Sequence, residues 1–154
     1  MNICTFFGHR DTPDEVEPLL RLEIIRLIEQ AGVKSFYVGN QGNFDIMARK
    51  ILKEMVNRYE IEYSVVLAYM PGKKDPFIKK EVQDTIFPTV LENVPRKFAI
   101  SHRNRWMVEQ SDYVITYITH GWGGAAQFRD MAMKKGKVVI DIKNLNIDKK
   151  EYNT

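Results

Sequence analysis

The chain has 154 residues, a length that fits one domain with a proper core, and its 44% hydrophobic and 28% charged content are ordinary globular values. A net charge of +3, with acids and bases mixed along the chain, suits a weak affinity for anionic ligands and argues against a nucleic-acid footprint. The single cysteine, Cys4, excludes an internal disulfide and points to a reducing compartment. The first residues lack the charged-then-apolar-then-small pattern of a secretory leader, and no apolar run approaches the length of a membrane span. A cytoplasmic protein with no membrane partner is therefore expected.

Asn2–Phe7 reads as a buried strand ended by Gly8, with Cys4 packed inside it. Asp14 is positioned to cap the next helix, with Glu17 three residues on as in a capping box. Leu19, Leu20, Ile24, Leu27 and Ile28 recur at helical spacing until Ala31-Gly32 stops the run. Ser35–Val38 is a second strand and Phe44–Arg58 a second helix, whose apolar face carries Ile46, Met47, Ile51, Leu52, Met55 and Val56. Tyr63–Tyr69 is a third strand, continuous enough to be covered on both faces.

The stretch from Met70 to Ile100 is less regular. Pro71, Pro76, Pro88 and Pro95 rule out one long helix, and a short helix near Pro76–Asp84 and a short strand near Thr89–Leu91 are expected instead. Its Lys73, Lys74, Lys79 and Lys80 read as a solvated face. Regularity returns with a helix over Ser101–Gln110, a strand over Asp112–Ile118, a helix over Ala125–Lys135 ended by Gly136, and a last strand over Lys137–Ile142. Residues 143–154 form a polar, lysine-rich tail. With no repeat or linker, residues 1–154 read as a single α/β domain: a three-layer, Rossmann-like fold with a mainly parallel sheet flanked by helices.

Three glycine-marked turns end strands and so belong on the carboxyl edge of that sheet, where ligands of such folds bind. Gly8-His9-Arg10 follows the first strand and supplies an imidazole and a planar guanidinium; the plainer reading has Arg10 paired with Asp11 or Asp45. Gly39-Asn40-Gln41-Gly42, with Asp45 two residues into the next helix, matches neither the dinucleotide GxGxxG pattern nor a Walker A loop. Asp45 either complements the helix dipole or binds a sugar hydroxyl. Gly121-Trp122-Gly123-Gly124-Ala125 is the strongest phosphate-cradle candidate, because a double glycine directly before a helix is hard to explain by packing alone. Beside it, His120 reads as a solvent-facing loop residue and Trp122 as a base-stacking platform, a cover for the pocket or an aromatic at a dimer contact. Arg103 and Asn104 fall on the helix opened by Ser101, which also carries Trp106 and Met107. No HExxH, cysteine pair or nucleophile elbow occurs, so no metal site is expected and no catalytic set is complete.

Taken in order, Phe6–Arg10, Gly39–Asp45, Arg103–Glu109 and Trp122–Ala125 resemble the SLOG superfamily, the Rossmann-like domains that relate the DprA/Smf proteins to the LOG phosphoribohydrolases. The resemblance runs from the first strand to about Ile142 and is nearest the YpsA-related bacterial and phage branch. It implies binding of a nucleotide or nucleotide-derived ligand at the glycine loops, with no separate cofactor. On that basis the ligand-binding residues are Gly8, His9, Arg10, Gly39, Asn40, Gln41, Gly42, Asp45, Arg103, Asn104, Gly121, Trp122, Gly123, Gly124 and Ala125. The glycine turns would hold phosphates, Arg10 and Arg103 would neutralise them, and Asp45 or Asn104 would bind sugar hydroxyls.

LOG enzymes cleave the N-glycosidic bond of nucleoside monophosphates through a Pro-Gly-Gly-x-Gly-Thr-x-x-Glu motif. Aligning its last glycine with Gly124 puts Ala125 at the threonine and Phe128 at the catalytic glutamate, where no proton can be handled. The expectation is thus a sensor or sequestering module. An N-glycosidase using Asp45 or Glu109 is the rival, and a DNA-processing accessory is a third reading that weak basicity opposes. The superfamily often dimerises, and exposed Trp106 or Trp122 would suit such an interface.

Overall fold

The computed structural model describes residues 2–69 and 85–145. Six strands, β1 (Ile3–Gly8), β2 (Ser35–Val38), β3 (Glu62–Val66), β4 (Thr85–Ile86), β5 (Tyr113–Tyr117) and β6 (Val138–Asp141), form one sheet in the order β4-β3-β2-β1-β5-β6. Every pairing among them is parallel, with Cys4 opposite Phe36 on one side and Tyr113 on the other. Among the described residues, four helices flank the sheet: α1 (Glu17–Ala31), α2 (Asn43–Met55), α3 (Arg96–Gln110) and α4 (Gly124–Lys134).

Alternation along β1 explains how both faces are covered. Successive side chains of a strand point to opposite faces. Cys4 and Phe6 join Leu20, Ile24, Phe44 and Ile51 of α1 and α2 in one buried cluster, while Phe7 joins Met107, Val108 and Phe128 of α3 and α4 in the other. Right-handed crossovers give the same answer from topology. The chain winds outward from β1 through β2 to β4, then returns to the other side of β1 for β5 and β6, so the later helices fall on the opposite face. The three-layer α/β reading is therefore the observed fold, with an all-parallel sheet among the described residues.

Three local expectations are corrected. Asp14 does not cap a helix. Pro13 instead precedes a single 3-10 turn at Asp14–Val16 that leads into α1, and the Asp14 carboxylate accepts from Asn43 Nδ2 at 2.9 Å. Thr89–Leu91 is a 3-10 turn after Pro88 rather than a strand, and the short strand lies earlier, at Thr85–Ile86. The helix assigned to Ser101 starts at Arg96, which leaves Ser101 inside it. Pro95 stands at the helix entrance, where a missing N–H costs nothing, so it begins a helix where the sequence reading took it as a breaker. The helix expected near Pro76–Asp84, the four lysines from Lys73 to Lys80, and the tail from residue 146 lie outside the described residues.

The end of β1 is closed by α2. A side chain at Gly8 would collide with the Phe44 ring, which is fully buried beneath it. Phe44→Ala should therefore remove about 3–5 kcal/mol of stability, read as a lowered urea midpoint with the slope unchanged.

Candidate functional site

The strand order reverses about β1, and the loops after β1, β2 and β5 open there beside α3. They enclose a cleft of about 430 Å³. Eleven of the fifteen residues singled out from the sequence line it: Gly8, His9 and Arg10 after β1; Gln41 and Asp45 at the start of α2; Arg103 and Asn104 on α3; Trp122, Gly123, Gly124 and Ala125 at the start of α4. Gly39, Asn40, Gly42 and Gly121 do not. Gly39 stands against Asp45 Oδ2 and the Arg103 guanidinium, and Asn40 accepts from Arg103, so these two residues support the floor from behind.

Asp11, Ile100, Met107 and His120 also line the cleft, together with Phe6 and Phe7. A helical signal for two of them was present in the sequence. Ile100, Arg103, Asn104 and Met107 fall at i, i+3, i+4 and i+7, one face of a helix, which emerges once α3 is extended back past Ser101.

The two helix N-termini at the cleft share a glycine signature and differ in what fills them. At α2, Gly42 has φ +89°, and a side chain there would meet the Arg10 Cα at 2.5 Å. The N–H of Asn43 donates to the Arg10 carbonyl at 2.9 Å, and Asp45 Oδ2 accepts from the N–H of Gln41 at 2.9 Å. A carboxylate already occupies the positive end of this helix. At α4, Gly123 has φ +91° at the N-cap, and no side chain caps the helix. The first turn holds no acid, and nothing stands within 4 Å of where a Gly124 side chain would begin. Gly123, Gly124 and Ala125 at this end line the cleft, and the first N–H groups of a helix have no partner within it.

Arg103 is 2% exposed. Its Nε donates to Asn104 Oδ1 at 2.9 Å, and its Nη1 donates to Asn40 Oδ1 at 2.9 Å and to the Val66 carbonyl at 3.1 Å. Burial lowers its pKa, against the opposing charge of Asp45. Arg10 is exposed and donates to Gln41 Oε1 at 3.1 Å; it is the cation at the rim. Asp45 is 8% exposed, and burial pushes its carboxyl up to about 6 against the lowering effects of Arg103, the Gln41 N–H and Arg49.

His120 is not a free loop residue. Its ring lies between His9, at 3.9 Å between centroids, and Trp122, at 3.7 Å. Trp122 is 73% exposed, whereas Trp106 is half-buried against Tyr37 with ring centroids 5.0 Å apart, so only Trp122 of the two is an exposed aromatic. Phe128 is buried, its ring stacked on Phe7 at 5.6 Å. Glu109 is exposed, 3.9 Å from Lys135 Nζ and away from the cleft, which removes it as a source of a catalytic carboxylate there. Among the described residues no cluster of three or more His, Cys, Asp or Glu is placed to hold a metal ion, and no helix is long and apolar enough to cross a membrane.

No protein-family model and no curated protein matches this chain. The solved structure of DNA processing protein A (DprA) from Streptococcus pneumoniae is similar in fold, with a TM-score of 0.66 and 17% identity over 90% of this chain. The chain spans about half of that protein, 49% of its length. The likeness shows a shared Rossmann-like α/β fold.

The raised Asp45 value sets a pH dependence. The unfolded carboxyl ionises near 3.8 and the folded one near 6, so the folded state binds more protons between these limits. Stability should therefore fall as pH rises from about 4 to about 6 and then level off, by roughly 3 kcal/mol in all. Urea unfolding of the Asp45→Asn variant across this window should show a flatter profile.

Proposed function

We propose that this protein binds a small nucleotide-derived or similarly phosphorylated ligand in the cleft between α2, α3 and α4, as a sensor or sequestering module. The observation that carries this reading is the asymmetry between the two glycine-marked helix N-termini. Neither end has a side-chain cap, but the α4 end is free of acids and sterically open, whereas at the α2 end the Arg10 carbonyl accepts from the Asn43 N–H and the Asp45 carboxylate from the Gln41 N–H. A phosphate is stabilised by free N–H groups at a positive dipole end and repelled by a carboxylate. The ligand's phosphate is assigned to Gly123, Gly124 and Ala125, with Arg10 reaching it from the rim. The hydroxyl-bearing part is assigned to Asp45, Gln41 and Asn104, whose acceptors and donors suit sugar hydroxyls. One open cradle favours a single phosphoryl group over a diphosphate bridging both helices.

Within the SLOG superfamily, the ordered motifs favour the YpsA-related branch, and the buried free Cys4 fits a cytoplasmic setting. Phe128 packs against Phe7 where the LOG enzymes place their glutamate, which favours binding over N-glycosidic cleavage. Asp45 supports the enzymatic alternative, because it lines the cleft and its carboxyl titrates near 6. The fold shared with a DNA-processing protein supports a role in DNA processing, and the net charge of +3 weighs against it.

Thermal-shift screening against nucleoside monophosphates, with mass spectrometry of each hit after incubation, tests the reading. Stabilisation with the ligand recovered intact is expected. Recovery of free base and ribose phosphate would instead establish an enzyme, and a shift of single-stranded DNA at moderate salt would move the assignment to nucleic acid. The Gly124→Asp variant isolates the cradle. Its side chain meets open space, and a carboxylate in the first turn favours the helix, so the fold should be no less stable while binding falls at least about tenfold. Unchanged affinity in that variant would remove the phosphate from α4.

A further inference from the structure

The cradle at α4 is carried by the loop that follows β5, and His9 reaches that loop from the end of β1. Its Nε2 accepts the backbone N–H of Thr119 at 3.0 Å. An imidazole nitrogen that accepts is unprotonated, so His9 here is the neutral tautomer with its proton on Nδ1. The His9 ring stacks on His120 with an interplanar angle of 22°, and His120 stacks on Trp122 at 17°. His120 Nδ1 lies 2.9 Å from the Trp122 carbonyl, which ties the outer two rings through the backbone as well. Three rings thus run from a buried histidine just past β1 to an exposed tryptophan directly before Gly123 and Gly124.

We propose that His9 is a positioning residue that latches the 119–123 loop, and that its protonation releases the loop and weakens anion binding at the start of α4. The loss of anion affinity rests on the binding reading above; the latch does not. A protonated imidazole has two donors and no acceptor, so its Nε2–H would face the Thr119 N–H donor to donor. The same proton would place a cation against the His120 ring, itself titratable. Around His9, burial and His120 disfavour the charged form, while Asp11 on its own loop and Asp141 at the end of β6 favour it, with the net balance toward neutral. Arg10 next in the chain is directed to Gln41.

The sign distinguishes the latch from simple electrostatics. A histidine that only adds charge beside an anion site strengthens binding as it is protonated. A latch that needs the neutral ring does the reverse.

The test uses the full chain without ligand. Amide-exchange protection of Thr119 and the ring nitrogen shifts of His9 are followed by NMR from about pH 8 to about pH 5, a range that spans the ordinary imidazole value. Protection of Thr119 should fall roughly tenfold as Nε2 takes up its proton, the scale of one hydrogen bond. In His9→Gln, Oε1 still accepts and does not titrate, so protection should stay constant with pH; in His9→Ala it should be low throughout. Undiminished Thr119 protection in the wild type once Nε2 is protonated overturns the latch, as does an equal pH response in His9→Gln. Inorganic sulfate, whose charge is constant over this range, is then titrated into the same proteins. Affinity should fall on acidification in the wild type and stay level in His9→Gln, and a rise in the wild type overturns the proposed sign. Absence of sulfate binding at every pH overturns the anion half and the reading beneath it, while the amide data still decide the latch.

Discussion

A guanidinium enclosed in protein constrains everything else at this cleft. Arg103 is withdrawn from water, and a buried cation is tolerated only where acceptors and an opposing charge surround it. Those acceptors come from separate parts of the chain: the Val66 carbonyl at the end of β3, Asn40 after β2, and Asn104 on α3, with the Asp45 charge from α2 nearby. The requirement to satisfy one side chain thus fixes where α3 sits relative to the sheet edge and how the β2–α2 loop is shaped. Gly39 belongs to the same arrangement, since a side chain there would enter the space held by Asp45 and Arg103.

With that floor set, the cleft is polarised. The α2 side is closed and carries the Asp45 carboxylate, and the α4 side is open, with neither an acid nor a side-chain cap in its first turn. Both helices begin after a glycine with φ near +90°, so the polarity arises from Asp45 in the first turn of α2 and from what packs against each glycine. Gly42 takes that conformation so that the loop passes the Arg10 backbone, whereas a side chain at Gly123 would meet only the His120 ring, at an ordinary contact distance of 3.9 Å. An open glycine at a helix entrance is what a ligand approaching the backbone needs.

Fold and chemistry separate cleanly in this molecule. The architecture is shared with a DNA-processing protein, yet a common fold hosts unrelated functions, and the site decides which one operates. Here Phe128 is stacked on Phe7 in the core between the sheet, α3 and α4 and does not line the cleft. The polar side chains that line the cleft are two arginines, two stacked histidines, two carboxylates and two amides, set beside the apolar Phe6, Phe7, Ile100 and Met107.

The sequence by itself determined the architecture and the edge on which the site lies. Strand and helix periods are local properties, and a parallel α/β order allows few topologies. Ser35–Val38 was legible to the residue, and the glycine turns after β1, β2 and β5 identified most of the cleft lining. Helix starts read less well, because Pro13 and Pro95 each open a turn or helix in a context the local pattern does not reveal. What only the tertiary structure decided is which residues have partners. The enclosure of Arg103, the self-filled end of α2, the burial of Phe128 and the His9–His120–Trp122 stack all depend on side chains brought together from distant positions. Glycine reads the same in sequence whether its missing side chain makes room for Arg10 or for a ligand, because that difference lies in the neighbouring chain.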